Sequence, residues 1–169
     1  MSLTSPPSKR IITGISEKTL PMRLVISTTL IGILITLLVG GCDRGSPESK
    51  KAKHLELAQT YFDKGQYNEA LIEFKNVVQL DPKDANTHYR LALTHLKLGG
   101  RTNLQGAFAE LSRTVELDKA NRDAQLKLGE LYLLGNEPAK AREQADIVLV
   151  SAPQNTEGLI LKGRSLINE

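Results

Sequence analysis

Aromatic side chains are scarce in this chain of 169 residues: three phenylalanines, four tyrosines and no tryptophan. A core must therefore be assembled from Leu, Ile, Val and Ala. That palette suits closely approaching helices better than a β-sandwich, whose strands favour β-branched and aromatic residues. Cysteine is nearly absent too. The single Cys42 excludes an intramolecular disulfide and leaves no second thiolate for a zinc site. Nor does the body of the chain carry surplus charge. The net +3 arises before Cys42, where Lys9, Arg10, Lys18 and Arg23 face only Glu17; beyond it acids and bases cancel. No electrostatic footprint for nucleic acid follows. A glycine-rich phosphate loop and a nucleophile elbow are also missing, so the chain is read as a non-enzyme with no cofactor, metal or small-molecule substrate. What is present, 40% hydrophobic and 24% charged residues, is the composition of a folded protein.

The first part of the chain reads as an address. Leu24 to Val39 is an apolar run broken only by hydroxyls, with Arg23 before it and Gly40, Gly41 and Cys42 after it. A basic lead, a short apolar stretch and a small-residue exit form a secretory signal. At ~1.5 Å per residue the run spans roughly 24 Å, short of the ~30 Å hydrocarbon core of a bilayer. Val39-Gly40-Gly41-Cys42 resembles the bacterial lipobox, with Val39 where leucine is usual. The resemblance implies a lipid on the Cys42 sulfur, cleavage after Gly41, and a protein held at the membrane by several acyl chains facing the periplasm. An uncleaved membrane helix is the competing reading. Translation from Met22 gives a complete signal, so Met22 is the expected start. Asp43 resembles the retention signal of enterobacterial lipoproteins and tips the expected location toward the inner membrane. Residues 1–41 are thus a signal segment, and 42–50 a lipidated cysteine with a polar linker reaching at most about 28 Å.

Internal repetition organises the rest. Residues 51–84 and 122–155 match at a period of about 34 residues. Leu57 falls on Leu128, Tyr61 on Tyr132, Ala70 on Ala141 and Pro82 on Pro153. The first copy supplies His54, Leu57, Ala58, Tyr61, Ala70, Phe74 and Pro82; the third supplies Gln125, Leu128, Gly129, Tyr132, Ala141, Ala145 and Pro153. Between them, residues 85–121 fit through His88, Leu91, Ala92, His95, Ala107 and Leu111, with Lys119 in place of the closing proline. This copy is longer, and its surplus is expected in a long turn, Gly99 to Asn103. Gly65-Gln66 and Gly135-Asn136 put glycine where a left-handed residue is needed. Asp81, Asp84 and Asp118 are placed to cap the helices that follow. Residues 156–169 begin a fourth copy, whose apolar Ile160, Leu161, Leu166 and Ile167 suit a docked partner or a longer array.

These residues resemble the tetratricopeptide repeat (TPR), a helix pair that stacks into an all-α solenoid. The expected fold is about three helix pairs plus one C-terminal helix, behind an N-terminal signal or anchor helix. The resemblance implies a concave groove lined by the fifth, ninth and twelfth residues of each repeat. Here these are Leu55, Gln59 and Phe62; Tyr89, Leu93 and Leu96; Leu126, Glu130 and Leu133; then Ile160, Arg164 and Ile167. Such a largely apolar floor suits an amphipathic helix or an extended apolar segment of a partner protein. Chaperone-binding TPRs instead clamp a terminal carboxylate with lysine, asparagine and arginine, so that partner class is not expected. The periodic His54, His88 and His95 read as packing rather than chemistry. The lipobox, linker and repeats together resemble the TPR lipoproteins of exosortase, PEP-CTERM and exopolysaccharide systems. That likeness implies an envelope scaffold serving export or protein sorting. A pilus or outer-membrane assembly lipoprotein is the alternative.

Overall fold

A computed structural model describes residues 45–168; the signal segment, Cys42 and Asp43 lie outside the described residues. The described residues form seven helices and no strand: α1 Pro47–Asp63, α2 Tyr67–Leu80, α3 Ala85–Leu98, α4 Arg101–Leu117, α5 Arg122–Leu134, α6 Pro138–Ser151 and α7 Thr156–Ile167. Each packs on its neighbours in sequence, and α7 also reaches back to α5. The result is three antiparallel pairs followed by one further helix.

Helix starts alternate in kind. The first helix of each pair has a side-chain cap, which satisfies amide donors left open at a helix beginning. Ser46 accepts from the Ser49 amide, Asp84 from Asn86 and Thr87, Asn121 from Ala124, and Asn155 from Gly158. The second helices α2, α4 and α6 begin without a side-chain cap. Two expectations change here. Asp81 and Asp118 do not cap; they accept from the amides of Lys83 and Ala120 in the loop, and the capping oxygens come from Asp84 and Asn121. Residues 47–50, expected as linker, are already helical, because Pro47 at the first position carries the preset φ a helix start requires.

The turns within pairs differ from expectation in an instructive way. After α1, Gly65 takes φ 74°, and the Gly65 and Gln66 amides donate to the Phe62 and Tyr61 carbonyls. After α5 the same two bonds run from Asn136 and Glu137 to Leu133 and Tyr132, but the left-handed residue is Asn136 at φ 59°. Gly135 is right-handed. Asparagine substitutes for glycine at this site because its short side chain tolerates the αL region. In the middle pair the turn is only Gly99-Gly100, both at positive φ, and the surplus residues extend α4 to 17 residues against 14 in α2 and α6. The long turn is not formed. Asn103 explains the extra helical turn: its amide donates to the Gly99 carbonyl at 2.8 Å, and its oxygen lies 2.9 Å from His95 Nδ1. The His95 ring in turn lies against Gly106, where a Cβ would meet it at 2.7 Å.

Small residues permit the close approach of each pair. Ala58, Ala70, Ala92, Ala107, Ala141 and Ala145 are all fully buried. Three clusters result, each using one pair and the first helix of the next: Ala58, Ala70, Phe74 and Leu91; Ala92, Leu111, Ala124 and Leu128; Leu126, Ala141, Ala145, Val148 and Leu161. The core is therefore a series of local cores, as in a solenoid, rather than one centre.

A trough along the first helices as candidate functional site

On a helix, residues three and four apart share a face. In α3, α5 and α7 one such face stays open, and two hollows run along it. The first, about 260 Å³, has Tyr89, Leu126 and Leu161 on its walls with Asp123, Lys127, Glu130 and Glu157 around them. The second, about 550 Å³, is bordered by Leu96, Leu131, Leu133, Leu134, Arg164 and Asn168, and shares Lys127 and Glu130 with the first. The shared side chains join the two into one trough.

The expected groove residues are divided unevenly. Tyr89, Leu96, Leu126, Glu130, Leu133 and Arg164 line the trough. Leu126 does so while also belonging to the third core cluster. Leu55 and Phe62 are packed against the first cluster, and Phe62 meets Tyr67 edge-on with ring centroids 5.4 Å apart. Leu93 closes a gap of about 20 Å³ with Phe62, Phe74 and Arg90. Gln59 is occupied by its bonds with Asp63 and Arg90. Ile160 and Ile167 are exposed outside the hollows. The first repeat's share of the expected groove is thus spent on packing and internal hydrogen bonds. The lining is also more charged than expected. Asp123 and Glu157, each the second residue of its helix, were not among the expected positions, although they lie one helical turn from Leu126 and Ile160.

Electrostatics follow from that lining. Burial, then the nearby Asp123 and Glu157 carboxylates, push the Tyr89 phenol above its ordinary value, so it remains a protonated donor. At the other end of the molecule the charges are matched internally. Lys51 lies 2.6 Å from Asp81 and 3.1 Å from Asp84. These hydrogen bonds raise the Lys51 amine and lower Asp81. At Asp84 burial opposes the shift, but Lys51 and Thr87 still hold the carboxyl low.

The histidines serve the pairs. His54 Nδ1 lies 2.5 Å from Glu73, and His88 lies 2.6 Å from Glu110 through Nδ1 and 3.1 Å from the Pro82 carbonyl through Nε2. In the third pair Gln125 makes the corresponding bond, its amide donating to the Lys119 carbonyl at 2.8 Å. Among the described residues no group of three or more His, Cys, Asp or Glu is placed to share a metal ion. A further apolar hollow of about 600 Å³, unanticipated, opens between α4 and α5 around Leu104, Phe108, Leu131 and Leu134. The sequence cue to it is the spacing of Leu104 and Phe108, one turn apart on α4.

A helix-pair solenoid with small residues at the crossings and a trough along its first helices defines a class of repeat protein. The chain carries tetratricopeptide repeats: residues 58–99 match the family described as TPR repeat, and residues 100–156 that described as tetratricopeptide repeat. The rat protein DnaJ homolog subfamily C member 3 is 31% identical over 125 residues, which is 74% of this chain. The chain spans 24% of that relative's length. Among solved structures, the Arabidopsis OM64 TPR domain superposes with a TM-score of 0.64 at 19% identity, over 73% of this chain and all of that domain. The second TPR domain of human RPAP3, in complex with the HSP70 peptide SGPTIEEVD, gives 0.63 at 16%, over 72% of this chain and 98% of the other. The fold is a TPR solenoid.

Proposed function

We propose that this protein is a non-enzymatic scaffold that holds a segment of another protein in the trough formed by α3, α5 and α7. The observation that carries this reading is the continuity of the two hollows through Lys127 and Glu130, which gives an elongated site lined by side chains from three helices. An elongated, mixed lining fits a chain segment better than a compact metabolite, which favours an enclosed pocket. The RPAP3 domain takes the acidic peptide SGPTIEEVD. The carboxylates of Asp123, Glu130 and Glu157 oppose such a ligand here.

The scaffold is further proposed to be a lipoprotein, anchored through Cys42 in the cell envelope and facing the periplasm, on the inner membrane. Its client would be an export, exopolysaccharide or protein-sorting assembly. The lipobox-like Val39-Gly40-Gly41-Cys42 supports this reading. Photo-crosslinking in intact cells from Tyr89 and Leu133, with mass spectrometry of the adduct, tests the scaffold; a client captured from both positions is expected, and silence at both rejects the trough. Palmitate labelling of the chain and of Cys42→Ser tests the anchor, with labelling lost only in the variant.

A further inference from the structure

We propose that the trough's narrower end, between α3, α5 and α7, receives a lysine or arginine side chain of the bound segment, with the segment's apolar side chains lying toward Leu96 and Leu133. The inference rests on the trough reading and names the partner's chemistry. Asp123, Glu130 and Glu157 surround this hollow with Lys127 as the single cation among them. Several carboxylates elsewhere among the described residues are mated: Asp81 and Asp84 with Lys51, Glu73 with His54, Glu110 with His88, Glu137 with Lys140 and Asp146 with Lys162. What sets the trough apart is that three acids converge on one hollow. The three at the trough have no ion pair or hydrogen bond among the described residues. Placement at a helix start accounts for Asp123 and Glu157, since acids are favoured in a first turn. It does not account for Glu130, in the later part of α5, whose charge turns toward the same hollow.

The walls match the rest of such a side chain. Leu126 and Leu161 offer apolar surface to an alkyl stem, and the carboxylates stand where the cationic head would emerge, the way long basic side chains ordinarily divide between apolar and polar surroundings. The neutral Tyr89 ring adds a face on which a guanidinium or ammonium can rest. Beyond Glu130 the lining is Leu96, Leu131, Leu133 and Leu134 with Arg164 and Asn168 at its border, so an adjoining apolar residue has its own seat and the Arg164 cation keeps the basic residue at the acidic end. The occupant is therefore a protein segment with a basic residue beside apolar ones.

Fluorescence polarisation with the full chain and the labelled, end-blocked peptide Leu-Arg-Ala-Leu-Leu tests this, beside analogues carrying norleucine or glutamate in place of arginine. The arginine peptide is expected to bind roughly tenfold more tightly than the norleucine one at low salt, with the glutamate peptide weakest. The advantage should shrink in about 0.5 M NaCl, where screening is short-ranged. Asp123→Asn with Glu157→Gln should abolish the difference while the norleucine peptide still binds and the chain still melts cooperatively, at a slightly lower temperature for the loss of two first-turn acids; Glu130→Gln should reduce it. Equal binding of the arginine and norleucine peptides, or preference for glutamate, overturns the basic-residue inference and leaves the trough standing. No binding by any of the three overturns both.

Discussion

The front and back of this solenoid use the same repeat differently. In the first pair, α1 and α2, the largest core side chain, Phe74, fills the space between helices, and the α1 residues that could have faced a partner, Leu55, Gln59 and Phe62, are turned to internal use. In α5 to α7 the position of Phe74 is held by Ala145, the helices approach over Gly129, and the open face carries the trough. The same pattern of small and large positions thus yields a packed end and a receptive end.

The largest effect expected from breaking this contrast is at Phe74. Phe74→Ala should cost about 3–5 kcal/mol, because a fully buried ring leaves a cavity that its neighbours refill only partly. Urea unfolding monitored by circular dichroism measures it, and a loss under about 1 kcal/mol would mean the front is not held by that ring. At the back, Gly129 is the equivalent pressure point. A Cβ there would collide with Leu161 Cδ2, so Gly129→Ala should cost about 1–3 kcal/mol by overpacking. Gly163, the corresponding position in α7, has nothing within 4 Å of an added Cβ, and Gly163→Ala should instead stabilise by up to about 1 kcal/mol through helix propensity. Opposite signs in the two thermal melts are the expected result.

Smaller effects sharpen the comparison. His88→Leu leaves the Pro82 carbonyl and Glu110 without their partner and should cost about 1–3 kcal/mol, whereas His88→Gln, copying Gln125, should cost under about 1 kcal/mol. Equal losses would show that ring volume, not hydrogen bonding, matters there. The smallest change concerns Asp84, whose carboxyl is held low in the folded state. A lowered carboxylate stabilises above its unfolded pKa and loses that contribution as pH falls through the folded value. The melting difference between the native chain and Asp84→Asn, which keeps a capping oxygen, should therefore be present at neutral pH, begin to shrink near about pH 4 and vanish only below the lowered folded-state pKa.

The helix pairs were legible because Leu57, Ala58, Tyr61, Ala70 and Phe74 recur at a fixed period, and periodic small residues have few uses other than helix crossings. The segment from Gly99 to Asn103 is not legible as helix because glycine density reads as turn, while the bond that holds the extra helical turn comes from Asn103 after the glycines. In the third pair, Asn136 rather than Gly135 takes the left-handed site, a choice neighbouring residues make through backbone hydrogen bonds. Half of the candidate site was visible for the same reason as the fold: Tyr89, Leu126 and Glu130 sit at repeat-defined positions. Leu55, Gln59 and Phe62 hold those positions too, yet are consumed by Tyr67, Arg90 and the first core, contacts that no single helix encodes. Asp123 and Glu157 escaped notice because an acid in a first turn already has a local reason to be there.

Leu126 and Leu161 wall the trough and also complete the third core. Occupancy and folding are consequently coupled at this end: a ligand that binds only the closed arrangement adds to its stability by mass action. Local opening of α6 and α7 becomes a reporter of that occupancy. Amide hydrogen exchange in Val148 to Ser165 should slow when the trough is filled, so the back of the array registers a captured client through helices most of whose residues the client does not touch.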